Sequence, residues 1–143
     1  MYINQISVFV ENRTGRLCEI TDVLARENID IRALSIADTT DFGILRLIVN
    51  EPERCCMALR DAGVTTKLTK VLAAHLDDKP GALSKVLNIL RADNIDVEYI
   101  YAFVSRTQSD AYVVLRVADI GTASKTLTGA GVRLLSSDDI RGV

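Results

Sequence analysis

Tryptophan is absent from this 143-residue chain, which also carries only one histidine, two prolines and three cysteines. Each shortage removes a class of chemistry. Nucleophilic catalysis of the Ser/His/Asp or Cys/His kind needs a base beside the nucleophile. The only histidine is His75, which the pattern places in mid-strand, half-buried or at the surface. Cys55 and Cys56 are sequence neighbours that cannot easily bridge each other, the cysteine number is odd, and no Cys-x-x-Cys occurs. Reduced thiols and no zinc site are therefore expected. Asp77-Asp78 and Asp138-Asp139 lack the further oxygen ligands of a hard-cation site and read as helix caps and solvated charge. Gly129-Ala-Gly131 lacks the rest of a dinucleotide fingerprint, and there is no phosphate-loop Gly-Lys-Ser/Thr. No catalytic residue, metal ligand or cofactor is assigned, and an autonomous enzyme is not expected.

Charge is equally uninformative about large partners. Seventeen basic and 19 acidic residues give a net charge near −2 with no run of one sign. That argues against nucleic acid and an anionic membrane surface as partners. Four tyrosines and three phenylalanines make a poor base-stacking platform. No stretch approaches the eighteen or so apolar residues of a membrane span, and the first residues alternate apolar with polar rather than forming a secretory signal. A cytoplasmic location is expected.

What the chain does have is repetition. Asn12-Arg-Thr-Gly-Arg-Leu17 opens a run ending Glu27-Asn-Ile-Asp-Ile31, and Asp78-Lys-Pro-Gly-Ala-Leu83 opens one ending Asp93-Asn-Ile-Asp-Val97. Further on, Ile44-Leu-Arg-Leu47 matches Val114-Leu-Arg-Val117, and Asp61-Ala-Gly-Val64 matches Gly129-Ala-Gly-Val132. Two copies of one small unit follow, with domains expected at 1–69 and 70–143. Each copy is marginal in size alone, and no Gly/Ser-rich or Pro-rich linker separates them, so packing in a fixed mutual orientation is expected.

Within the first copy, Ile6 to Val10 alternates like a strand. Leu17, Ile20, Val23 and Leu24 then recur at helical spacing from Gly15 to about Asn28. Ile29 to Asp38 reads as a second strand, Thr39 to Gly43 as a turn, and Ile44 to Val49 as a third strand. A helix opened by Glu51-Pro52 carries Met57 and Leu59 and stops at Gly63. Val64 to Lys70 is a last strand, and Val71 to Leu76 begins the next copy. Strand, helix, strand, strand, helix, strand is the order of the α+β, ferredoxin-like βαββαβ sandwich, expected twice with the antiparallel sheets joined side by side.

The loop before each first helix can carry binding. Gly15 and Gly81 let the backbone approach a ligand closely. The helix N-terminus behind them offers unpaired N–H groups to a carboxylate. Asn12 or Asp78 supplies a side-chain oxygen, and Asp30 or Asp96 a carboxylate at the start of the next strand. The same residues also suit plain structural duty as caps, turns and solvated ends.

These motifs, Asp/Asn-x-Pro-Gly-x-Leu followed by a helix and Asn-Ile-Asp-Ile/Val, resemble the ACT domain, a regulatory module of amino-acid metabolism. The second copy has the usual Pro80-Gly81, and the first has Thr14-Gly15. The resemblance covers nearly the whole chain. It implies modules paired side by side, with a small ligand, usually an amino acid, held where copies meet. It therefore implies Asn12, Arg13, Thr14, Gly15, Arg16, Leu17 and Asp30, or Asp78, Lys79, Pro80, Gly81, Ala82, Leu83 and Asp96, as ligand contacts. The expected function is a non-catalytic amino-acid sensor, dimeric, acting on an enzyme of amino-acid metabolism. Two rivals stand beside it: an interaction module without ligand, and a small acylphosphatase-like enzyme, for which Arg13 beside Asn12 is the only hint. On the second strand of copy two, Tyr99, Tyr101 and Phe103 share a face where copy one has Ala33, Ser35 and Ala37. Those rings either pack against small residues or make the two sites unequal.

Overall fold

The computed structural model describes residues 1–38, 41–104 and 110–142. Thr39 and Thr40 of the expected turn, residues 105–109 and Val143 lie outside the described residues. The chain separates into two compact units, residues 4–69 and residues 70–141 with 1–3.

The first unit runs β1 (Ile3–Glu11), α1 (Arg16–Arg26), β2 (Ile31–Asp38), β3 (Phe42–Val49), α2 (Pro52–Asp61) and the start of β4 (Thr66–Asp77). Its strands lie in the order β2, β3, β1, β4. β3 is antiparallel to both β1, with Ile6 opposite Leu47 and Val8 opposite Leu45, and β2. Ile6, Val8, Val10, Leu45 and Leu47 therefore share one face by period-two alternation. Ile20, Val23 and Leu24 from α1 and Cys55, Cys56 and Leu59 from α2 bury against it as a single core. Leu17 begins the helical stripe in sequence, yet it is exposed one turn before the core begins. Met57 likewise faces solvent, because its position in α2 is on the side away from Cys56 and Leu59.

The second unit repeats the plan with the rest of β4, α3 (Ala82–Ala92), β5 (Val97–Ala102), β6 (Asp110–Val117) and α4 (Ile120–Gly129). β6 lies between β4 and β5, antiparallel to both. Leu72, Ala74, Leu76, Val113, Leu115 and Val117 meet Val86 and Leu90 of α3 and Ala123 and Leu127 of α4 in a second core. The last strand of one copy and the first of the next form one continuous element, β4.

The closing strand of the second copy departs from expectation. It shrinks to an isolated bridge between Leu134 and Ala74, held by hydrogen bonds from His75 N–H to the Arg133 carbonyl and from Leu135 N–H to the Ala73 carbonyl. A short helix, α5 (Ser137–Gly142), follows in its place. The Ser136 N–H and hydroxyl both reach Asp139 Oδ2, at 2.8 and 2.9 Å, while the Asp139 N–H donates to Ser136 Oγ. This reciprocal capping starts a helix directly after Leu135 and so ends the strand. Asp139 is thus a capping group, as its sequence setting implied, and these hydrogen bonds from Ser136 hold its carboxyl below the usual carboxylate range.

The two copies start and stop their first helices in the same way. α1 and α3 start at Gly15 and Gly81, whose φ angles of 83° and 90° are left-handed and which receive no side-chain cap. Asn12 and Asp78 do not cap these helices. Asn28 and Asn94 close the same helices at φ 54° and 56°, a conformation that asparagine tolerates better than most residues. Ile29 and Ile95 then donate to the carbonyls of Leu24 and Leu90. The Asn-Ile half of the repeated tripeptide is therefore a helix stop, with Ile29 buried in the core.

Candidate functional site

In a βαββαβ unit, the loop after the first strand and the turn before the last strand come to the same end of the sheet, because those two strands run antiparallel. In the second unit this end holds a cleft of about 320 Å³. One wall is the loop Asp77, Lys79, Pro80 and Gly81 with Ala82, Lys85 and Val86 of α3; the other is Ala130, Gly131, Val132 and Arg133, with His75 and Leu76 at the base. The N-terminus of α3 and the C-terminus of α4 thus border the same space. Their dipoles present partial positive and partial negative charge, respectively. A zwitterion can lay its carboxylate toward Ala82 and its ammonium toward Ala130 and Gly131.

His75 forms the floor from mid-strand. Its Nε2 lies 2.9 Å from Asp110 Oδ1, and its ring meets Tyr112 edge-on at 5.3 Å. The half-buried strand histidine expected from sequence is what the fold contains, oriented by a neighbouring carboxylate across the β4–β6 pair. Lys79 stands 3.9 Å from Asp77, and Lys85 has no ion-pair partner among the described residues.

The matching end of the first unit has different contents. Arg16, Glu19, Asp22, Val23, Arg26, Ala62 and Val64 line a depression of about 230 Å³. Arg13 reaches both carboxylate oxygens of Glu19, at 3.1 and 2.9 Å, and Arg16 adds a third contact at 3.0 Å. Arg13 also stands 3.5 Å from Glu11. The hydrogen bond from Arg13, then that from Arg16, holds the Glu19 carboxyl below its usual range, and Glu19 in turn raises Arg13. Arg13 is thereby committed within the protein, which weakens its one claim to a phosphate-cradling role.

Of the residues singled out from sequence, Lys79, Pro80, Gly81 and Ala82 line the second-unit cleft, whereas Asp78 and Leu83 stand exposed beside it without lining it. In the first unit Arg16 lines the depression; Asn12, Thr14, Gly15 and Leu17 are exposed around it. Asp30 and Asp96 are not brought to these loops. Each follows the C-terminus of an 11-residue helix whose N-terminus carries the loop, a separation of about 16 Å. Asp30 pairs with Arg32 at 3.2 Å and donates, through its backbone N–H, a hydrogen bond to Asn50 Oδ1 at 3.0 Å. Asp96 borders a separate depression with Leu87, Arg91, Asn94 and Ile95. Tyr99 and Tyr101 stack at 6.4 Å on β5 and do not line the cleft.

Sequence reasoning missed His75, Lys85, Val86 and residues 130–133 as cleft residues. A usable signal existed in the repeated Ala-Gly-Val of Ala62 to Val64 and Ala130 to Val132. Gly131 ends α4 at φ 85°, and Val132 N–H donates back to the Leu127 carbonyl. That stop turns the chain into the cleft wall.

Two ferredoxin-like repeats, each opening its first helix on a left-handed glycine in the loop after the first strand, define the class of fold. The chain belongs to the ACT domain pair family, which matches residues 1–139. It is similar to a protein of Bacteroides thetaiotaomicron of solved structure, at 40% identity over 100% of this chain and 98% of that one, with a TM-score of 0.93. The acetolactate synthase small subunit of Haemophilus influenzae is 26% identical over 115 residues, which are 80% of this chain and 63% of that protein. The chain therefore spans less than two thirds of that relative. The regulatory subunit of aspartate kinase from Thermus thermophilus, in its ligand-free form, shares the fold at 12% identity and a TM-score of 0.63, over 89% of this chain and 91% of its own. Among the described residues no helix is long and apolar enough to cross a membrane.

Proposed function

We propose that this chain is a non-catalytic regulatory protein of two domains, 1–69 and 70–143, that binds a free amino acid and thereby changes its docking on an enzyme of amino-acid metabolism. The observation that carries the reading is the second-unit cleft, where a glycine-opened helix start and a helix end of opposite polarity face one small-molecule-sized space. Pro80, Gly81 and Ala82 supply backbone close to the ligand carboxylate. Family membership and the relatives named as regulatory or small subunits support the same reading.

Binding regulates only if the ligand prefers one of two arrangements, and the loop is accessible to a ligand because it is exposed. Asp30 and Asp96 join a site of this kind only when another ACT-like copy brings them to a loop. A homodimer is the natural source of such a copy. The edge strand β2 leaves Leu34 and Ile36 exposed, and β5 leaves Ile100 exposed, so each unit has an apolar, unpaired sheet edge to cover.

A thermal-shift screen against the twenty amino acids tests the proposal. A ligand at about a hundred times its dissociation constant adds roughly 2.7 kcal/mol, a midpoint rise of about 5–10 °C. No shift with any of them favours the ligand-free interaction module instead. Light scattering at high micromolar concentration tests the dimer, which a strictly monomeric mass excludes.

A further inference from the structure

The two copies match position for position around the loop, yet their charges do not. Glu11, Arg13, Glu19 and Thr65 in the first correspond to Asp77, Lys79, Lys85 and Arg133 in the second. The first set closes on itself, since Glu19 lies within 3.1 Å of both Arg13 and Arg16 at the helix start. The second set replaces that internal acid with Lys85, which has no ion-pair partner among the described residues. Lys79, Lys85 and Arg133 all border the 320 Å³ cleft, and Asp77 is the one acid among the described residues that line it. Arg133 is also attracted by Asp139, whose hydrogen bonds from Ser136 favour the ionised carboxylate, so Lys85 is the cation of the set left without an internal counter-charge among the described residues.

Building on the amino-acid reading above, we infer that the second-unit cleft takes an amino acid with an acidic side chain, one per chain, while Glu19 occupies the corresponding position of the first unit as a built-in acid. A neutral amino acid uses the helix start for its carboxylate and leaves Lys85 without a counter-charge. A dicarboxylic amino acid supplies a second carboxylate to Lys85, with Arg133, which lines the same cleft, adding to the positive field. Its ammonium finds Asp77 and the carbonyl end of α4. The cleft holds more basic than acidic groups, so one added negative charge is matched, and a basic side chain is repelled.

Calorimetric titration of the full chain with L-aspartate, L-glutamate, L-serine, L-leucine and inorganic phosphate tests this. One equivalent of L-aspartate or L-glutamate should bind at least about tenfold tighter than the neutral amino acids, the scale of one charge-assisted hydrogen bond. Lys85→Glu, which copies the first unit, should lose that affinity at unchanged melting temperature, and Lys85→Arg should keep it. Glu19→Lys should add a second, weaker binding event. Equal or tighter binding of L-leucine or L-serine overturns the inference and leaves the amino-acid reading intact. Retained affinity in Lys85→Glu, phosphate binding as tight as that of the dicarboxylates, or a single event in Glu19→Lys also overturns it. Silence toward every amino acid removes both the inference and the reading beneath it.

Discussion

The first and second copies share a backbone plan and differ in what stands at its business end. Both start α1 or α3 on a left-handed glycine and stop it on a left-handed asparagine. Both bury two helices on one sheet face. At the loop, however, the first copy satisfies its cations with its own Glu19, and the second leaves its cations facing an open cleft. Duplication thus preserved the scaffold, which many buried contacts specify together. The surface charges, each of which costs the fold little, were free to diverge.

The comparison predicts equal losses where the copies are equivalent. Leu24 and Leu90 occupy matching core positions at 1% and 0% exposure. Leu24→Ala and Leu90→Ala should each destabilise by about 2–5 kcal/mol, measured by denaturant unfolding. Strongly unequal losses would mean that the two cores are not the same structure.

Gly15→Val and Gly81→Val separate scaffold from site. Neither glycine has a neighbour within 4 Å of an added Cβ, so the cost comes from the positive φ and should be about 1–3 kcal/mol in either copy. The amino-acid response should vanish only in Gly81→Val, because a β-branched side chain there stands between ligand and backbone. Calorimetry showing that Gly15→Val removes binding instead would move the site to the first copy.

A smaller effect is expected where the copies end differently. Ser136→Ala should cost about 0.5–2 kcal/mol through loss of the cap on α5. The corresponding position of the first copy, Leu68, lies in β4 and has no such cap. Hydrogen exchange should show protection lost around residues 136–142 and retained elsewhere. Unchanged exchange there would mean that α5 does not depend on its capping box.

The smallest effect is electrostatic. Glu19 has a depressed carboxyl pKa in the folded chain, so its contribution is present above the ordinary glutamate value of about 4.3 and is lost as pH falls through the lower folded value. A carboxyl-detected NMR titration should show Glu19 titrating below that ordinary value, and in Arg13→Ala its midpoint should rise. A normal Glu19 midpoint in the unaltered chain would remove the clasp that distinguishes the copies. Its effect on overall stability should be slight, because the pair is exposed.

Much of this protein was decided along the chain. The repeat, the order of strands and helices, the glycine starts, the asparagine stops and the buried stripe Ile20, Val23 and Leu24 all depend on local backbone preference and on periodicity, which act over a few residues. The motif Asn-Ile-Asp was also legible, but its parts have separate tasks: Asn28 and Ile29 close a helix, and Asp30 belongs to the next strand. Only the tertiary structure put Ala130 to Arg133 opposite the Lys79 to Ala82 loop, since that meeting depends on two antiparallel strands bringing residues about 50 positions apart to one end of a sheet. Only it carried Asp96 about 16 Å from Gly81, because a whole helix lies between them. The clasp of Glu19 by Arg13 was likewise invisible in the sequence. An ion pair forms where side chains converge in space, and the left-handed turn at Gly15 is what brings Arg13 back over the first turn of α1.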